Sequence, residues 1–127
     1  MGLERNVKRV KKFIVCEAMF EVITMCGSTK FKDEFWYWAK ELSLDGWIVI
    51  MPYCFGHVDS DKRINEKKYD LDVMHFHKID MSNAIFVVDK NGYIGDSTTR
   101  EIVYAKHRGK QILYMSKEIE RRKNVRI

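Results

Sequence analysis

The 127-residue sequence predicts a single three-layer α/β domain, an open parallel sheet of four to five strands with helices on both faces. Three observations carry that expectation. Short continuous apolar runs recur along the chain, each closed by glycine, proline or a polar residue. Between them, apolar residues return every three or four positions, the spacing of amphipathic helices. The two patterns alternate, as βαβ units around a parallel sheet require.

Val22-Ile23-Thr24-Met25-Cys26 is the first clear strand, ending in a tight turn at Gly27. Lys30 to Leu44 reads as a helix through Phe31, Phe35, Trp38, Ala39 and Leu42, stopped by Gly46. Trp47 to Met51 is a second strand, and Pro52 ends it because proline cannot donate to a sheet ladder. Tyr53 to about Lys68 holds no period and reads as a long binding or lid loop. Asp70 to Asn83 regains helical spacing through Leu71, Met74 and Ile79, with Asp70 as the cap. Ala84 to Asp89 is the third strand, Ile102 to Ala105 mark a third helix running to Gly109, and Gln111 to Met115 form a fourth strand. The charged stretch from Lys117 reads as a peripheral, fraying helix. The first twenty residues read as a basic arm or an extra strand. The whole is of flavodoxin/Rossmann-like type, in which ligands bind at the carboxyl ends of the strands. Three segments converge on that edge: Gly27 to Thr29, Pro52 to His57, and Asp89 to Glu101.

Composition narrows the function classes. No segment approaches the eighteen or so apolar residues of a membrane span, and Glu17 and Glu21 interrupt the only stretch resembling a secretory leader, so a cytoplasmic protein is expected. Cys16, Cys26 and Cys54 contain no C-x-x-C pair, which argues against a disulfide framework or zinc knuckle. The net charge is +5, but residues 1–12 hold five Lys/Arg against one Glu and residues 117–127 five against two, leaving a slightly acidic body. Basic ends on an acidic body argue against a nucleic-acid partner. Trp36, Tyr37 and Trp38 exceed what one buried stripe uses, so either one ring is exposed or the helix meets another subunit of a homo-oligomer.

Gly27-Ser28-Thr29 sits where strand passes to helix, so its N–H groups could cradle a phosphate, aided by two hydroxyls and Lys30. A turn glycine followed by a helix cap explains the same residues. Neither a Walker A loop nor a G-x-G-x-x-G fingerprint is present. Thr98-x-x-Glu101 fits a capping box, yet a carboxylate in the first turn of a helix at the ligand edge can also face a bound sugar. His75 and His77, two apart on a helix, point to different faces, and no further Cys or His is evidently placed, so neither a metal nor another cofactor is expected. Asp80, near a helix C-terminus, is badly placed for the dipole and implies a salt bridge, to Lys78 or Arg100, or a role.

Taken in order, Ile23 to Lys32, Phe55-Gly56-His57, Met74-His75-x-x-Lys78-Ile79-Asp80-Met81, and Gly92 to Ala105 resemble the nucleoside 2-deoxyribosyltransferase-like superfamily, in particular its small bacterial and phage branch. The resemblance spans residues 22 to 115. It implies an enzyme that cleaves the N-glycosidic bond of a deoxynucleoside or nucleoside 5′-monophosphate, by hydrolysis or base transfer. It makes Glu101 the catalytic carboxylate and Asp80 its partner. It makes Gly27, Ser28, Thr29, Phe31, His57, Gly95, Ser97 and Thr98 the substrate-binding set, with no cofactor; Asp89, at the ligand edge where the third strand ends, is counted with them. Asp96 stands five residues before Glu101 and nothing after Met115 matches the transferase pocket, which favours hydrolysis. A non-catalytic nucleotide sensor using the same pocket is the alternative.

Overall fold

A computed structural model describes residues 19–53 and 61–125. Four strands, β1 (Val22–Gly27), β2 (Ile48–Ile50), β3 (Ala84–Val88) and β4 (Gln111–Tyr114), form one all-parallel sheet in the order β2-β1-β3-β4. Helices α1 (Lys32–Leu44), α2 (Lys62–Glu66), α3 (Lys68–Asp80), α4 (Asp96–His107) and α5 (Met115–Val125) connect and flank them. The expected α/β open sheet is what the chain forms.

Strand alternation divides the core into two layers. Ile23 and Met25 of β1 and Ala84, Phe86 and Val88 of β3 lie on one face, with Phe35, Trp38 and Leu42 of α1 and Met115 of α5. Cys26, Ile85 and Val87 lie on the other, beneath Ile79 of α3 and Ile102 and Ala105 of α4. Thus α1 and α5 cover one face, α3 and α4 the other. Strand order reverses between β1 and β3, where Gly27 pairs with Val88. Gly27 has φ +147°, and a Cβ there would stand 3.0 Å from Val88 Cβ and carbonyl oxygen. Only glycine suits both constraints.

Several boundaries differ from the sequence reading. The first strand extends through Gly27, and α1 begins at Lys32 with Phe31 at its N-cap, so neither Ser28 nor Thr29 caps it. Part of the expected long loop is helical: α2 is capped by Asp61, whose carboxylate accepts from Arg63 N at 3.0 Å. Helix α3 runs on almost directly from Lys67, so Asp70 is in its first turn instead of capping it. Met74 is exposed while His75, four residues before buried Ile79, turns inward. Met115 opens α5 instead of closing β4.

The charged C-terminal stretch is built into the fold. Met115 and Ile119 pack on the α1 layer, and Arg122 bridges to Asp45 and Glu41. Within the aromatic triplet, Trp38 is buried against Phe86, whereas Trp36 and Tyr37 are about half exposed. Residues 1–18 of the N-terminal arm, with Cys16, and Cys54 and His57 lie outside the described residues. Among those described, no helix is long and apolar enough to cross a membrane.

Candidate functional site

A cavity of about 510 Å³ opens at the carboxyl edge of the sheet, over the gap between β1 and β3. Its walls are the Gly27-Ser28-Thr29 turn, Pro52-Tyr53 after β2, the inward residues of α2 and α3, and the start of α4 with Tyr93. The sequence folds this way locally because each contributing strand ends in a residue that turns the chain over the sheet edge. Gly27 does so after β1 and Pro52 after β2.

The first turn of α4 faces the cavity through Asp96, Ser97 and Thr98, with Gly95 as N-cap. No side chain caps this helix. The Thr99 hydroxyl donates to the Gly95 carbonyl at 2.9 Å, and the first N–H groups of the helix have no side-chain cap. Because α4 begins at Asp96, Glu101 lies in its second turn. The capping-box reading of Thr98 and Glu101 is therefore corrected: the helix starts too early for it.

Glu101 lines the cavity floor with its side chain only 16% exposed. Its Oε2 is buried without a hydrogen-bond partner and lies 3.7 Å from His75 Nε2. Burial raises the carboxyl to about 7; the adjoining Cys26 thiol opposes that shift and the Asp72 charge adds to it. His75 is pushed the other way, to about 4, by burial and then by the Lys78 charge, so its ring is neutral near pH 7. The same ring stands 3.4 Å from Cys26 Sγ. Burial, followed by the neighbouring Glu101 charge, lifts the Cys26 thiol well above its ordinary value.

Polar groups surround this floor. Lys78 Nζ donates to the Met51 carbonyl at 3.0 Å, tying α3 to the end of β2. Asp72, Asn65 and Lys68 complete the helical wall. Opposite them, Tyr93 carries the Lys30 ammonium 3.7 Å above its ring and meets Phe31 edge-on at 5.9 Å. That stack fixes the rim.

Of the residues singled out in the sequence, Gly27, Ser28, Thr29, Gly95, Ser97, Thr98 and Glu101 come together around the cavity. Three do not line it. Phe31 supports Tyr93 from behind. Asp89 is buried at the end of β3, where its carboxylate accepts from Ser116 N at 2.9 Å and Ser116 Oγ at 2.6 Å, so it anchors α5 instead. Asp80 closes α3, just before β3 begins and so toward the amino edge of the sheet. There it accepts from Tyr104 Oη at 2.7 and 2.8 Å and from Arg108 Nε at 2.9 Å. Those contacts, Tyr104 before Arg108, hold its carboxyl below the ordinary range. Its ion pair is with Arg108, not Lys78 or Arg100.

Sequence reasoning missed Cys26, Asp72 and His75 as site residues. The signal was available in the strand parity of Cys26, which opposes Met25, and in the three- and four-residue spacing of Asp72, His75 and Ile79. No protein-family model and no curated protein matches the chain.

Proposed function

We propose that this protein cleaves the N-glycosidic bond of a nucleoside or nucleoside 5′-monophosphate, with Glu101 as the carboxylate facing the anomeric carbon. The observation that carries the reading is Glu101 itself: a buried carboxylate, one oxygen of which has no hydrogen-bond partner, in a cavity of nucleotide size. Departure of the base builds positive charge at the anomeric carbon, and a desolvated carboxylate stabilises that charge better than a solvated one. As the C–N bond breaks, its electron pair goes to the base. Glu101 attacks to form a glycosyl ester, which water then hydrolyses.

The Gly27-Ser28-Thr29 turn and the α4 N-terminus supply N–H and hydroxyl groups on one side of the cavity. This is the arrangement that receives a 5′-phosphate or 5′-hydroxyl. Lys68 and Lys78 add positive charge from α3. Asp72 shares the cavity with Glu101, whereas Asp80 does not, so the second carboxylate of the reaction is assigned to Asp72. The order and spacing of the motifs shared with the nucleoside 2-deoxyribosyltransferase-like superfamily support the same chemistry, with Asp80 as the exception.

Incubation with a panel of deoxynucleosides, ribonucleosides and their 5′-monophosphates, followed by chromatography, tests this proposal. Release of free base from at least one is expected. Thermal stabilisation by a nucleotide without base release would replace catalysis by a sensing role.

A further inference from the structure

Cys26, His75 and Glu101 come from β1, α3 and α4, and their donor atoms all lie within 4.8 Å of one another. Cys26 Sγ to His75 Nε2 is 3.4 Å and His75 Nε2 to Glu101 Oε2 is 3.7 Å. A tetrahedral zinc ion with ordinary Zn–S, Zn–N and Zn–O bonds has donor-to-donor edges of about 3.3–3.6 Å. Two of the three edges therefore already stand close to the size of a zinc tetrahedron. The expectation that no cysteine is suitably placed for a metal fails here, because strand parity brings Cys26 to His75.

We propose that Cys26, His75 and Glu101 form a three-ligand site for Zn²⁺, open to the cavity at the fourth position, and that zinc bound there blocks glycosidic cleavage by occupying Glu101. A thiolate, a neutral imidazole and a carboxylate are a donor set that suits zinc. The thiolate and carboxylate together neutralise a dication, so a filled site adds no net charge to a buried position. Binding displaces the proton of Cys26, and that of Glu101 where it is protonated, to water. Glu101 Oε2, buried and lacking a hydrogen-bond partner, gains a coordinate bond to the metal. Asp72, one turn before His75 and also lining the cavity, favours a cation there. Lys78 opposes it, but its ammonium is held at the Met51 carbonyl.

The binding claim does not depend on the proposed reaction; the inhibition claim rests on it. Cobalt(II) is the probe, titrated into the chelator-stripped full chain, because four-coordinate cobalt with a thiolate ligand absorbs intensely in the visible and shows a sulfur charge-transfer band in the near ultraviolet. One equivalent is expected to saturate both bands, and zinc to bleach them. Cys26→Ser removes the charge-transfer band, while His75→Ala weakens binding at least about tenfold. His77→Ala, exposed on the same helix, leaves both bands intact. Absence of the charge-transfer band in the native chain, or its survival in Cys26→Ser, overturns the site. Should Cys26→Ser fail to fold by circular dichroism, Glu101→Gln decides: a tenfold loss of cobalt affinity supports the site and unchanged affinity overturns it. Base release is then compared with and without one equivalent of zinc, with at least about tenfold inhibition expected and reversal by chelator. Undiminished release from zinc-loaded protein overturns inhibition. A chain that binds cobalt but releases no base under chelator contradicts only the reaction, and one that releases base without the cobalt bands contradicts only the metal site.

Discussion

At Glu101, stability and chemistry pull in opposite directions. Burial holds its carboxyl near 7, against 4.5 in an unfolded chain. Between those values the native state binds more protons than the unfolded one, so stability declines as pH rises from about 4.5 through 7. Above that window the full penalty applies, on the order of 3 kcal/mol for a shift of this size. Glu101→Gln is expected to be more stable than the native chain at pH 8, by about 1–3 kcal/mol, with the difference vanishing below pH 4.5; denaturant titrations in chelator at both pH values check this. In the proposed reaction the ionised form attacks, so kcat/KM for base release should rise with pH and level off above about 7. Asp80 makes the converse case. Its contacts with Tyr104 and Arg108 are away from the cavity, so Asp80→Asn should lower the melting temperature and leave base release within about twofold. A large fall in kcat with unchanged melting would return Asp80 to the reaction.

The elements explain what could be read in advance. Four apolar runs and the spacing of α1 and α4 were legible because burial on both faces of a parallel sheet imposes continuous apolar strands, while helices bury one stripe. The inward face of α3 was not. Its lining residues include His75, Asp72 and Lys78, which a hydrophobic pattern reads as solvent-facing, and Met74, which it reads as core, is exposed. A binding site reverses the usual pattern on the helix that walls it. Helix α5 was legible as a helix but not as a packed one, for a related reason: its charges satisfy one another and α1, through Arg121 with Glu118 and Arg122 with Asp45. Asp89 looked like a ligand residue for its place at a strand end, whereas it holds the α5 N-terminus through Ser116. Asp89→Ala should therefore cost about 1–2 kcal/mol, the scale of a lost cap, measured by chemical denaturation, with α5 amides exchanging faster.

For the whole molecule, two helical layers close the sheet and leave one edge open where strand order reverses. Glu101 reaches that opening from α4, with its Oε2 buried while the side chain lines the cavity. Removing residues 117–127 strips Ile119 and Arg122 from the α1 layer, so truncation should lower the melting temperature and not simply remove surface charge. The central claim is that Glu101 does the chemistry in this cavity. It is tested most directly by the rate of free-base release from the best nucleoside or nucleotide substrate, compared at pH 8 in chelator between the native chain and an equally folded Glu101→Gln variant. Release by the native chain and a loss of at least about a thousandfold in the variant is the predicted result; equal rates in the two, or no base from any substrate with the native chain, would contradict it.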